Sequence, residues 1–163
     1  MFVNNIATPN RLFVVDRGQL VPMPVGDAAE PGGLGTGAAV ADIDGDGCLE
    51  LLVAHGESER QPLTLYSAAS AARGNHWIRV RPVTNAGAPA RGAVVTVERS
   101  GRHWCRVVDG GSGYLCQMEP VAHIGLGPES SVIDRVTVRW PDGWTREVAG
   151  VEVNQELTLA RAG

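Results

Sequence analysis

Apolar and polar residues alternate with a period of two along most of this chain. Such alternation puts every second side chain on one face of a sheet, which predicts β-strands. Arg11-Leu-Phe-Val-Val15 and Gln19-Leu-Val-Pro-Met23 read as short strands around the turn Asp16-Arg17-Gly18. Residues 24–36 read as loop, carrying Val25-Gly26-Asp27 and Glu30-Pro31-Gly32-Gly33. Gly37-Ala-Ala-Val-Ala41 is a small-residue strand that runs into an acidic loop. Leu49-Glu-Leu-Leu-Val-Ala54 leaves that loop, and Leu63-Thr-Leu-Tyr66 follows. Together these predict a meander of about four or five strands, the size of one propeller blade.

Strands return after a small, polar stretch. His76-Trp-Ile-Arg-Val-Arg-Pro82 and Ala93-Val-Val-Thr-Val-Glu98 alternate cleanly. Ser100-Gly101 marks a hairpin turn into His103-Trp-Cys-Arg-Val-Val108. Arg135-Val-Thr-Val-Arg-Trp140 faces Trp144-Thr-Arg-Glu-Val148 across Pro141-Asp142-Gly143. In that turn Pro fixes φ, Asp bonds backbone and Gly accepts positive φ. Glu156-Leu-Thr-Leu159 closes the set. No segment sustains a 3.6-residue period. The expectation is an all-β chain: residues 1–68 as one repeat, 69–74 as a linker, and 75–163 as a small β-sandwich or barrel. Ser67-Ala-Ala-Ser-Ala-Ala72 also reads as a short helical turn.

Composition agrees and removes several classes of function. Apolar residues make up 44% of the 163 residues, enough for a core, and 21 Gly with 10 Pro imply many turns. The net charge is −4 and all 14 basic residues are Arg. An acidic chain without a basic run is a poor nucleic-acid or anionic-membrane binder, so neither partner is expected. No apolar stretch is long enough to span a bilayer, and no membrane insertion is expected. Met1-Phe-Val-Asn-Asn5 lacks a basic n-region and a long apolar h-region. An exported form would therefore need an upstream part. Cys48, Cys105 and Cys116 give an odd count, compatible with one bridge or none.

The acidic loop carries the clearest chemistry. In Asp42-Ile-Asp44-Gly45-Asp46-Gly47-Cys48-Leu49-Glu50, acidic residues stand at alternate positions. Calcium requires several hard oxygens in a compact shell. Asp42, Asp44, Asp46 and Glu50 offer carboxylates, and Cys48 offers its backbone carbonyl. Gly45 and Gly47 allow the tight turn. Without a cation the carboxylates would repel one another. Oxygen-only ligands favour Ca²⁺ over Mg²⁺ or Mn²⁺. An EF-hand carries a bidentate Glu at its twelfth loop position, but here that position is Val53, inside an apolar strand. The expectation is a strand–loop–strand calcium site.

At these residues the chain resembles known families. Gly37 to Val53, with Pro9-Asn10-Arg11-Leu12-Phe13 upstream, is similar to the FG-GAP/VCBS repeat of integrin-type β-propellers. From Gly74 onward the chain resembles an ASPIC/UnbV domain. The motifs are Asn75-His-Trp-Ile-Arg-Val80, Ala90-Arg-Gly-Ala93, Gly110-Gly-Ser-Gly-Tyr-Leu115, His123-Ile-Gly-Leu-Gly127 and Val138-Arg-Trp-Pro-Asp-Gly143. The pairing resembles the cartilage acidic protein family. That resemblance implies a secreted, extracellular calcium-binding protein that engages a matrix protein or cell-surface receptor and does not catalyse a reaction. The alternative is an accessory domain of an intracellular or periplasmic enzyme system. Family members carry several propeller repeats, whereas one is recognised here. The chain holds no Asn-x-Ser/Thr sequon, so N-glycosylation is not expected.

Other constellations carry blander readings. Ser112 with His123 suggests a nucleophile, but the elbow pattern needs Gly where Tyr114 stands. No catalytic residue is expected. His103, Cys105, Cys116 and His123 lack zinc-site spacing. Cys105 and Cys116 read either as a disulfide across the Gly-rich turn or as buried free thiols. Trp77, Trp104, Trp140 and Trp144 read as core or cross-strand packing, with Trp140 and Trp144 paired. Arg79, Arg81, Arg91, Arg106 and Arg139 read as a solvated polar face, or as a face for an acidic partner.

Overall fold

The computed structural model describes residues 1–56, 59–68, 74–129 and 132–161. Among these residues there are thirteen β-strands and no α-helix. The strands are β1 Phe2–Val3, β2 Arg11–Asp16, β3 Gln19–Met23, β4 Gly35–Ala41, β5 Glu50–His55, β6 Thr64–Tyr66 and β7 His76–Val83. They continue as β8 Val94–Arg99, β9 Arg102–Val107, β10 Ala122–Gly127, β11 Val132–Arg139, β12 Thr145–Glu152 and β13 Gln155–Ala160. The expected linker 69–74 lies outside the described residues except for Gly74, and so does most of the helical-turn reading of 67–72.

The chain forms two compact units that exchange short segments. The first holds Met1–Ile43, Leu49–Ala68 and Gly111–Met118. The second holds Asp44–Cys48, Ala69–Gly110 and Glu119–Gly163.

In the first unit the strands do not form one meander. They split into an antiparallel sheet β1-β2-β3 and a second sheet β4-β5-β6. Pro22, within β3, and Pro24 withhold two backbone donors, which suits β3 to an edge. A 3₁₀ turn at Gly26–Ala29 then carries the chain away before β4 begins. β4 and β5 form the hairpin that carries the acidic loop, with Ala41 opposite Glu50 at its mouth. Val53 is fully buried. Gly111–Met118 lies along β4: the Cys116 thiol donates to the Ala38 carbonyl at 3.0 Å. A Cβ on Gly37 would come within 2.7 Å of the Tyr114 carbonyl oxygen, so no larger residue fits there.

The second unit has two sheets, ordered β10-β7-β13 and β12-β11-β8-β9. Both orders are open, so the barrel expectation is not met. Closure would need the edge strands to pair, and each sheet ends instead on an unpaired edge. Ile78 and Val80 from β7, Ile124 and Leu126 from β10, and Leu159 from β13 enter one buried cluster. Val95 and Val97 from β8, with Val136 and Val138 from β11, complete it from the other sheet. The alternation along β8 and β11 thus buries the branched apolar positions, as the period of two requires. Two features were not foreseen. The Gly-containing segment Ala122–Gly127 is a strand, β10, in which Ala122, Ile124 and Leu126 alternate inward. β13 joins β7 in parallel, with Leu157 opposite Val80.

The hairpins follow their turn residues. Ser100 and Gly101 both take positive φ, 48° and 76°, the mirror-image two-residue turn that matches strand twist. In Pro141-Asp142-Gly143, Asp142 Oδ1 accepts from the Trp144 N–H at 3.0 Å and Gly143 takes φ 89°. Trp140 and Trp144 meet edge to face with ring centroids 4.9 Å apart, the expected pair. The arginines do not share one face. Arg79 and Arg81 lie on β7, whereas Arg106 lies on β9 and Arg139 on β11 of the other sheet.

Ile124 is 0% exposed within the core, so its truncation should leave a cavity. Ile124→Ala is expected to lower unfolding free energy by about 2–5 kcal/mol. Urea titration should show an earlier midpoint at unchanged slope. A loss below about 1 kcal/mol would mean that this position is not packed as described.

Candidate metal centre

The acidic loop spans the β4–β5 turn, and its backbone shows how it folds. Gly45 and Gly47 take φ 78° and 86°, the left-handed region that a Cβ disfavours. Asp44 Oδ1 accepts from the Asp46 N–H at 3.1 Å, and Asp46 Oδ1 accepts from the Cys48 N–H at 2.8 Å. These two successive side-chain-to-backbone turns curl the chain. Glu50 Oε2 accepts from the Ile43 N–H at 2.8 Å and ties the end of the loop to its start.

Asp42, Asp44 and Glu50 each bring a carboxylate oxygen within 4.8 Å of the others. Asp42 and Glu50 are each 6% exposed, while Asp44 is exposed. Asp46 and Cys48, the other two expected ligands, stand outside this group of three. The carboxylate of Asp46 is turned toward the Cys48 N–H, and the Cys48 thiol is no part of the set. Three carboxylates this close repel one another strongly when two are withdrawn from water. A hard cation relieves that repulsion, and the donor set is all oxygen, which fits calcium. Among the described residues no other group of three or more His, Cys, Asp or Glu side chains converges in this way. The His103, Cys105, Cys116 and His123 set is not assembled, and all three cysteines are unbridged. The disulfide reading thus gives way to free thiols, Cys105 exposed on β9 and Cys116 bonded to the Ala38 carbonyl.

Two further polar clusters escaped sequence reasoning. In the first unit, Glu30 accepts from the Tyr66 hydroxyl at 2.5 Å and lies 2.7 Å from Nε2 of His55. Nδ1 of His55 is 2.8 Å from the Pro62 carbonyl oxygen. Asn10 bonds both the Ala28 carbonyl at 3.0 Å and Glu30 at 3.3 Å. This cluster fastens residues 28–30 to β5 and β6. Burial pushes the Glu30 carboxyl up, but hydrogen bonds from Tyr66, His55 and Thr64 hold it below its ordinary value. Burial and the bond to the Glu30 anion push the Tyr66 phenol up to about 12. In the second unit, Arg79 bonds Glu119 at 2.5 Å and Arg81 bonds Glu156 at 2.7 Å. Arg79 also reaches Glu156 at 3.2 Å, and Arg81 reaches Glu119 at 2.9 Å. These crossed pairs neutralise the basic positions of β7, which are not left open for an acidic partner. Alternation places Arg79 and Arg81 on one face of β7 but carries no sign of the glutamates that meet them there.

The C-terminal half of this all-β chain is similar to a known family. Residues 83–163 match the family model described as ASPIC and UnbV. Over nearly its whole length the chain is homologous to cartilage acidic protein 1. It is 47% identical over 173 residues to that protein of Xenopus tropicalis, covering 98% of this chain and 26% of the relative. It is also 47% identical over 172 residues to that of Homo sapiens, covering 98% of this chain and 25% of the relative. The chain thus spans about a quarter of the length of the curated relatives it matches.

The Glu30 cluster has a definite pH signature. The Tyr66 phenol has a folded value raised above the unfolded 10.0, so its contribution is full below pH 10 and lost as pH rises toward about 12. Glu30 is the reverse: its contribution is present above 4.5 and lost as pH falls through the lowered folded value. In a Tyr114→Phe chain Tyr66 is the sole phenol, because the sequence has 2 Tyr. Its phenolate absorbance should then emerge near pH 12, and adding Glu30→Gln should move it downward. Emergence near pH 10 in the folded Tyr114→Phe chain would contradict the described bond.

Proposed function

We propose that the β4–β5 loop binds one Ca²⁺ and that the chain is part of an extracellular interaction protein of cartilage acidic protein type. The convergence of the Asp42, Asp44 and Glu50 carboxylates within 4.8 Å is the observation that carries this reading. Asp46 and the Cys48 carbonyl join the shell when the ion is present, completing the set expected from the alternating pattern. The ion is structural: it offsets carboxylate repulsion and fixes the hairpin. Val53 at the twelfth position is buried in β5, so the loop lacks the bidentate Glu of an EF-hand. Residues 1–68 act as an FG-GAP/VCBS-type repeat, and 75–163 as a sandwich-like ASPIC/UnbV domain.

The relatives' name supports the extracellular placement. The partner is a matrix protein or cell-surface receptor, engaged without catalysis. Among the described residues no helix is long and apolar enough to cross a membrane. No observation favours the accessory-domain alternative.

Calcium that binds only the folded chain stabilises it by mass action. At an excess of 100-fold over Kd the gain is about 2.7 kcal/mol. The thermal midpoint should therefore rise with Ca²⁺ and fall with chelator, and Asp42→Asn or Glu50→Gln should abolish the difference. Identical midpoints in calcium and chelator would remove the ion from the explanation. Capture of a matrix or cell-surface protein in calcium but not in chelator would extend the result to partner binding.

A further inference from the structure

We propose that Trp77 reads the metal state of the acidic loop, so that calcium loading and seating of the loop on this indole are one linked equilibrium. This coupling rests on the calcium reading above and adds to it a residue outside the loop. The observation is made at Gly47. A Cβ built on Gly47 would overlap the Trp77 ring, meeting Nε1 and Cδ1 first. The loop backbone therefore lies directly against the indole. Gly45 provides the comparison: its φ is also positive, at 78°, yet its Cβ would meet nothing within 4 Å. Conformation alone accounts for glycine at 45. At 47 the ring contact demands it as well.

Trp77 is held from other sides. Its backbone N–H donates to Asn154 Oδ1 at 3.2 Å, and its backbone carbonyl accepts from the Asn154 N–H at 2.7 Å. Its ring stacks on His123, with centroids 6.0 Å apart and planes 10° from parallel. The strand position of Trp77 is thus fixed by its backbone bonds, and the ring by its stack on His123. Asp46, directly before Gly47, is bonded across it to the Cys48 N–H at 2.8 Å. A cation that draws the Asp44 and Asp46 carboxylates together sets the backbone at 45–47, and with it the distance from Gly47 to the ring. In the unloaded loop, carboxylate repulsion acts to open that turn and lift Gly47 from the indole. Linkage is reciprocal, so weakening this contact must weaken calcium binding by the same factor.

The test titrates Ca²⁺ into the chain and into Trp77→Phe, reading heat of binding and tryptophan emission. Circular dichroism first establishes that the variant is folded. Phe keeps an aromatic ring at the strand position, so the sheet survives while the contact to Gly47 shrinks. The unsubstituted chain should show an emission change that saturates with calcium, absent from Trp77→Phe. The variant should bind calcium about five-fold more weakly or worse. Calcium binding with equal affinity in both, and no emission change specific to Trp77, overturns the coupling and leaves the calcium site standing. No calcium binding in the unsubstituted chain overturns both. Should Trp77→Phe fail to fold, His123→Ala replaces it. That change removes the ring stacked on the indole while keeping Trp77 and every loop residue, and undiminished affinity there also overturns the coupling.

Discussion

Mutual repulsion of carboxylates in the β4–β5 loop is the constraint on which this reading depends. Asp42 and Glu50 are both withdrawn from water and both close to Asp44. Burial of one anionic group is costly, and burial of two side by side is more so. The loop offsets part of this with backbone donors: the Ile43 N–H serves Glu50, and the Asp46 N–H serves Asp44. Single neutral donors do not balance three negative charges, whereas the proposed divalent cation would. The hairpin behind the loop is regularly paired. Its strands pair in register from Ala38–Val53 to Ala41–Glu50, and Val53 anchors it in the interior.

On the strand side, the Glu30, His55 and Tyr66 cluster fixes the far end of β5, five residues beyond Glu50. In the second unit, Gly47 at the loop tip rests on the Trp77 indole, which stacks on His123. That indole belongs to β7, which continues into the buried cluster through Ile78 and Val80. One strand thus alternates between an apolar interior face and an outer face bearing Trp77, Arg79 and Arg81. The crossed pairs of those arginines with Glu119 and Glu156 leave the outer face electrically balanced.

Much of the fold was legible because β-structure writes its period directly into the chain. The strands around Val95, Val97, Val136 and Val138 needed only the alternation of branched apolar residues. The turns at Ser100-Gly101 and Pro141-Asp142-Gly143 needed only their residue chemistry. Three things were hidden for physical reasons. Gly125 and Gly127 masked β10, because glycine weakens a strand's signature while its apolar neighbours still point inward. The parallel pairing of β13 with β7 joins residues nearly eighty positions apart, and no local pattern encodes it. The split of the first unit into two sheets depends on how Pro22 and Pro24 restrict an edge, which alternation alone does not report. Of the expected ligands, the structure brings Asp42, Asp44 and Glu50 together, while Asp46 faces the backbone of its own turn. Gly47 was assigned to turn geometry; its second role, against Trp77, requires knowing which strand lies beside the loop.

The most direct measurement is the number of calcium ions bound per chain, by equilibrium dialysis with radioactive calcium at neutral pH. One ion per chain is predicted, falling to none when Asp42→Asn and Glu50→Gln are combined. No bound calcium in the unsubstituted chain, or a full equivalent retained by the double variant, would contradict the account.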